Sequence, residues 1–178
     1  MSSDAMKQCY MLSLIGKDQP GIVAKLSAGL CQNGCNLGDS SMARLGGNFT
    51  IMVMVEFAGE LSALQETVKT ICEPLGLSSH LVEIEDEPQN HLEPDVRISI
   101  YAEDRLGIVE DVTVALAEAG LNILHLESNV DSGTEASTYY IHLEGTVSNG
   151  IDPLYQVLES LEAKNIKSQL IPINAQAM

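Results

Sequence analysis

Gly16-Lys-Asp-Gln-Pro-Gly-Ile-Val23 and Ala102-Glu-Asp-Arg-Leu-Gly-Ile-Val109 are two versions of one stretch, 86 residues apart (102 − 16). Asp18 meets Asp104, Gly21 meets Gly107, and Ile22-Val23 meets Ile108-Val109. The register continues outward through Leu30 with Leu116, Gly34 with Gly120 and Asn36 with Asn122. After an insertion of two residues in the second copy, Thr50 and Glu56 fall on Thr138 and Glu144. One shared motif is coincidence at this length; a run of matches at one spacing is a duplication. Two units are too few for a solenoid, which needs about three repeats to bury its faces. Each half is therefore expected to be a small domain with its own core. Between them, Glu85-Asp-Glu-Pro-Gln-Asn-His-Leu-Glu-Pro94 is polar, acidic and twice interrupted by proline, the chemistry of a linker. The expected division is a first domain over 1–86, a linker over 87–94 and a second domain over 95–178.

Both halves read alike. Cys9 to Ile15 reads as a strand, and so does Val96 to Tyr101, where Val96, Ile98 and Ile100 alternate strictly in the pattern of a half-buried strand. A turn follows, then a helix from near Gln19 or Arg105. Ile22, Leu26, Gly29 and Leu30 share one helix face, as do Ile108, Val112, Ala115, Leu116 and Ala119. Gly34 and Gly120 stand where a helix end wants a left-handed residue. Two strands come next, joined by Gly46-Gly47-Asn48 in the first half and by Asp131-Ser-Gly-Thr134 in the second. Helices over about Leu61 to Cys72 and Pro153 to Lys164, and strands near Ser79 to Glu85 and Ser168 to Ile173, complete the units. The order is βαββαβ. It predicts an α+β, ferredoxin-like fold: antiparallel sheets with the helices on one face.

Helices cover one face of such a sheet, so the other meets water or a partner. By parity against Tyr10, Leu12, Val53 and Val55, the first outer face carries Cys9, Met11, Met52 and Met54. The matching second-half positions are Asp95, Arg97, Tyr140 and His142, a much wetter set. Uncovered methionines call for a cover, so this face is expected to pack on the other repeat, on a second copy of the chain, or on a protein partner.

Asp18-Gln19-Pro20-Gly21-Ile22 is the candidate site. Asp18 can cap the following helix, Pro20 fits its first turn, and Gly21 lets another group approach the backbone. The free N–H groups of a helix start suit a carboxylate or other small anion. Asn36, past the far end of the helix, can donate and accept at once, as a zwitterionic ligand requires. A plain helix start explains the same turn residues equally well.

The Asp-x-Pro-Gly-Ile-Val opening followed by Gly34-x-Asn36 resembles the ACT domain family, regulatory modules that typically bind amino acids at domain–domain interfaces. The resemblance spans nearly the whole chain, as two copies. Gly34-Cys-Asn-Leu-Gly-Asp-Ser-Ser-Met-Ala-Arg-Leu-Gly46 with Phe49-Thr50 is further similar to the first repeat of the glycine cleavage system transcriptional repressor family. That resemblance implies a protein with two ACT domains, a small amino acid such as glycine as signal, and action on a DNA-binding transcription factor rather than on DNA. By position, it assigns ligand contact to Asp18, Gln19, Pro20, Gly21, Ile22 and Asn36, then to Asp104, Gly107, Ile108 and Asn122. The second copy departs from the pattern, with Leu106 in place of Pro20 and a longer hairpin. Asp39, Ser40 and Arg44 lie in the family-like stretch, and a solvated strand edge accounts for them as well.

Composition bounds the function. Nine Lys and Arg against 25 Asp and Glu give a formal charge of −16, which repels phosphate backbones and anionic lipid surfaces. Direct nucleic-acid and membrane binding are therefore not expected. No charged start precedes an apolar run, and no apolar stretch approaches the roughly 20 residues of a membrane helix. The expected compartment is cytoplasmic, with Cys9, Cys31, Cys35 and Cys72 as buried thiols rather than as metal ligands. His80, His91, His125 and His142 are scattered, and no phosphate loop, nucleophile elbow or paired acid–base carboxylates stand out. The reading is non-catalytic, with no metal and no cofactor. Three functions stay open: a ligand-responsive regulator of a transcription factor, an ACT subunit controlling an enzyme in trans, and an assembly module without ligand.

Overall fold

The computed structural model describes residues 8–84, 92–132 and 137–173. The chain divides between residues 89 and 90 into two compact units. In the first, β1 (Gln8–Lys17), α1 (Ile22–Gln32), β2 (Asn36–Leu45), β3 (Asn48–Phe57), α2 (Leu61–Cys72) and β4 (Leu77–Ile84) follow in order, with one 3-10 turn at Glu73–Leu75. The second contains β5 (Val96–Glu103), α3 (Ile108–Glu118), β6 (Leu121–Ser132), β7 (Ser137–Val147), α4 (Asp152–Glu162) and β8 (Lys167–Pro172). The sheets run β2-β3-β1-β4 and β6-β7-β5-β8, and every pairing is antiparallel. This is the expected βαββαβ arrangement, twice. The linker residues 85–91 and hairpin residues 133–136, including Gly133 and Thr134, lie outside the described residues.

Strand alternation decides which side is buried. Tyr10, Leu12 and Leu14 point into the first core with Ile51, Val53 and Val55, and there they meet Ile22, Leu26 and Leu30 of α1 and Leu64, Val68 and Cys72 of α2. Gly29 is what lets the two helices approach: a Cβ there would lie 2.8 Å from Ile71 Cδ1. The second unit has a separate core built from the same positions, among them Val96, Ile98, Val112, Leu116, Ile141, Leu154 and Leu158. Gly34 and Gly120 have φ of 81° and 91°, the left-handed geometry expected after each first helix.

The register corrects one part of the repeat alignment. Leu14 pairs with Ile51 and Ile100 with Ile141, so the offset rises from 86 (100 − 14) to 90 (141 − 51). The second hairpin is longer by four residues (90 − 86), not two. Thr50 therefore corresponds to Tyr140, Glu56 to Thr146, and Met52 and Met54 to His142 and Glu144. Side chains in a strand alternate with period two, so a two-residue slip leaves every residue on its proper face and passes unseen in the pattern.

The outer faces differ as expected. Met11 pairs with Met54 on one side and Val82 on the other, and Met52 is half exposed beside Ser13. Cys9 is half-buried on this face. The second face instead carries an Arg97–Glu144 ion pair (2.7 Å), a Ser99 Oγ to His142 Nδ1 hydrogen bond (3.0 Å) and an edge-to-face Tyr101–Tyr140 pair. Not every thiol is buried: Cys35 and Cys72 are, and burial pushes both upward from the usual thiol pKa, but Cys31 lies on the solvent side of α1.

Candidate functional site

The β1–α1 loop is pinned from three directions. Asp18 N–H donates to the Gly47 carbonyl (3.1 Å), tying the loop to the tight turn between β2 and β3. Gln19 Nε2 donates to the Leu75 carbonyl (3.1 Å) in the turn after α2. Arg44, near the end of β2, places Nη2 2.6 Å from Asp18 Oδ2. The helix itself begins at Ile22, and its cap is Gly21, left-handed at φ 84° and open around the missing Cβ. Asp18 is thus not the cap, and Pro20 precedes the helix rather than sitting in its first turn. Three residues separate Asp18 from Ile22, and its carboxylate is taken by Arg44 instead.

A cleft of about 370 Å³ opens where this loop meets the hairpin, lined by Asp18, Gln19, Gly21, Ile22, Met42 and Phe49 and by the next helix residues. One wall is the first turn of α1, the other the inward-facing side of β2 and β3. Asn36 is not part of it. Its Nδ2 donates to Glu56 Oε2 (3.0 Å) at the opposite end of β3. Asn36 pairs with Glu56, whereas the loop meets Gly47, next to Asn48. The eight steps between Asn48 and Glu56 (56 − 48) span about 27 Å at about 3.4 Å each. The cleft takes in four of the six first-half residues, Asp18, Gln19, Gly21 and Ile22; Pro20 shares their loop without lining it, and Asn36 lies apart.

The second loop copies the backbone but not the chemistry. Asp104 N–H donates to the Ser137 carbonyl (2.9 Å), and Gly107 caps the helix at φ 84° with Ile108 buried behind it. Leu106, which replaces the proline, is 99% exposed. Val130, paired with Tyr139, occupies the position that Arg44, paired with Phe49, holds in the first half. The loop's own cation, Arg105, turns onto Asp111 of its helix (2.5 Å). Asn122 reaches Thr146 Oγ1 at 3.5 Å, again at the far end of the sheet.

The ACT domain model matches residues 8–83 and, in a second form, residues 96–163. The chain belongs to the ACT domain family. Its two ACT domains are related to the glycine cleavage system transcriptional repressor of Escherichia coli (strain K12), 22% identical over 137 residues that cover 76% of this chain and 72% of that protein. An unknown protein from Galdieria sulphuraria has the same fold, with a TM-score of 0.74 and 25% identity over 94% of this chain and 99% of its own. A crystal structure described as a glycine cleavage system transcriptional repressor shares the fold at a TM-score of 0.65, with 23% identity over 94% of this chain and 98% of that one.

Met42 and Phe49 of the first ACT domain's cleft escaped sequence reasoning, and Arg44, which pairs with Asp18 beside it, is singled out there with a solvated strand edge as an equal account. The signal was present. A two-residue turn at Gly46-Gly47 forces Arg44 opposite Phe49 and Met42 opposite Ile51, which puts all of them on the side of the sheet that faces α1. The second ACT domain has a different concavity, about 360 Å³, on its outer sheet face among Ser99, Tyr101, Glu127, Asn129, Tyr140 and His142. Among the described residues no group of three or more His, Cys, Asp or Glu is placed to hold a metal ion, and no helix is long and apolar enough to cross a membrane.

Asp111 reports on the second loop. The Arg105 hydrogen bond holds its carboxyl below the ordinary 3.8, outweighing desolvation, with the charges of Arg105 and Lys164 assisting. A lowered carboxylate pKa favours the folded form above the ordinary value, and that contribution is lost as pH falls through the folded one. Arg105→Gln is expected to return the Asp111 titration toward the ordinary range in a carboxyl NMR titration. An unmoved midpoint would show that Arg105 leaves Asp111 in solution.

Proposed function

We propose that this tandem ACT-domain protein is a non-catalytic, amino-acid-responsive transcriptional regulator that acts through a DNA-binding protein partner. The observation that carries this reading is the cleft at Asp18 to Ile22, where a helix start, an opposite-charge pair and an apolar wall converge in the first ACT domain. Relatedness to the glycine cleavage system transcriptional repressor supports the transcriptional role and makes glycine the first ligand to try. A charge of −16 favours action through a partner over contact with a phosphate backbone.

The distance between Asn36 and the loop bears on mechanism. A small ligand that touches both kinds of residue bridges two ACT domains, from one chain or from two copies. Such a ligand stabilises one arrangement of the modules over others and so presents or hides a partner surface. The apolar outer face with Cys9, Met11, Met52 and Met54 is the surface we assign to assembly or to that partner.

Thermal denaturation against an amino-acid panel that includes glycine tests the ligand. At 100 times the dissociation constant, a ligand adds about 2.7 kcal/mol, which raises the melting temperature of a small domain by several degrees. Asp18→Asn is expected to abolish the rise. Absence of any rise across the panel sinks the sensor reading and leaves the assembly module. Affinity capture from native cells tests the partner: retention of a DNA-binding protein supports the proposal, and retention of an enzyme replaces it with control in trans.

A further inference from the structure

We propose that the outer sheet face of the second ACT domain binds a small organic cation, an alkylammonium, between the Glu127 carboxylate and the rings of Tyr101 and Tyr140. The site is separate from the ligand-sensing loop and does not depend on it.

Strand register assembles the site. Ser99, His142 and Glu127 form one row across β5, β7 and β6, and Tyr101, Tyr140 and Asn129 form the next. Residues two apart in a strand share a face, so both rows stand on the side of the sheet away from the core. Together they line the concavity of about 360 Å³. Its aromatic wall is the edge-to-face tyrosine pair, with ring centroids 5.4 Å apart and both residues more than a third exposed. Glu127 lies diagonal to Tyr140, a separation of about 7–8 Å that long and aromatic side chains reach across.

The charges select the ligand. With His142 neutral, Glu127 is the one formal charge among the lining residues. One row away, Arg97 closes the Glu144 carboxylate at 2.7 Å, but among the described residues Glu127 has no such cation. His142, directly opposite Glu127, shares Nδ1 with Ser99 Oγ instead (3.0 Å). An exposed carboxylate thus stands beside two aromatic rings, and an ammonium is attracted to both. An anionic ligand would meet Glu127 as a like charge. A divalent metal ion wants several oxygen ligands, and this lining offers one carboxylate. The excess of acidic residues over the whole chain also draws small cations to its surface.

The first ACT domain provides an internal comparison. Ser41 pairs with Met52 as Glu127 pairs with His142, and Ala43 pairs with Thr50 as Asn129 pairs with Tyr140. Ile15, opposite Thr50, takes the place of Tyr101. The carboxylate and both rings are absent there, so one site per chain is expected.

Titration of the full chain with n-butylammonium at about pH 8, followed by amide NMR, tests the site; at that pH an amine is charged and histidine is neutral. Saturable shifts are expected at Glu127, Asn129, Tyr140 and His142, with none at Ser41, Ala43, Thr50 or Met52. Butanol, which has the same chain without the charge, should bind about tenfold more weakly or not at all. Glu127→Gln should weaken butylammonium binding by about tenfold, the usual cost of losing a hydrogen bond to a charged partner. Tyr140→Leu should weaken it by about two- to fivefold, whereas Tyr140→Phe, which keeps the ring, should match the parent. Melting curves without ligand check that the variants fold. Unsaturable shifts spread over both domains would reduce the effect to counter-ion attraction and overturn the site. So would binding that Glu127→Gln leaves unchanged, equal binding of butanol, or displacement of butylammonium by an equal concentration of magnesium ion. Tighter binding of an acetylated, amidated lysine would transfer the site to a basic side chain of a partner protein and overturn the small-molecule assignment.

Discussion

Leu64→Ala is expected to destabilise the first ACT domain by about 2–5 kcal/mol, and Leu154→Ala to destabilise the second by a similar amount. Both side chains are fully buried, on α2 and α4, at equivalent positions of the two cores. Truncation removes the transfer free energy of the lost atoms and leaves a cavity that close-packed neighbours fill only in part. A domain of this size has about 5–15 kcal/mol of stability in total, so either substitution takes a large share of it. Urea denaturation followed by circular dichroism is the measurement. A loss below about 1 kcal/mol at either position would mean that the helix does not seat its leucine in the core as described.

Gly145→Val is the second large effect, and it arises from a clash rather than a cavity. A Cβ on Gly145 would lie 2.3 Å from the Asn122 carbonyl oxygen and 3.0 Å from Leu121 Cδ1. The first of these is backbone, which cannot rotate away. The first ACT domain holds Val55 at the same register, fully buried. What differs is the bulge opposite. It falls between Leu37 and Ser40 in β2, around Gly38, and between Ile123 and His125 in β6, around Leu124. A Cβ on Gly38 would stand 3.3 Å from Met54 Cβ. Each bulge thus keeps one glycine, on the bulged strand in one domain and on the facing strand in the other. Gly145→Val is expected to cost about 1–3 kcal/mol through overpacking, with amide NMR shifts concentrated at Leu121 to His125. An unchanged melting temperature would show that the strand can step aside.

The elements were legible because each rests on a local rule. Val96, Ile98 and Ile100 alternate, Ile22, Leu26 and Leu30 recur at helical spacing, and Gly34 and Gly120 close the helices. These rules fixed the order of elements and the buried faces. They do not carry register, and what the sequence reading got wrong depends on register. The slip of Thr50 onto Thr138 kept parity and so violated nothing. Asp18 was read as a cap because capping is a local interaction. Its partner Arg44 is brought near only by the hairpin. Asn36 shares the family motif with the loop, and the length of β3 lies between them in one module.

The bulges carry one more consequence. β2 and β6 are long edge strands, each paired to a strand of its own sheet on one side only. Such an edge is a template for intermolecular strand addition and aggregation, and an extra residue near its start twists it out of the flat geometry that a docking strand requires. The interruption recurs just after Asn36 and just after Asn122, so both edge strands carry the same guard at the same place in the module.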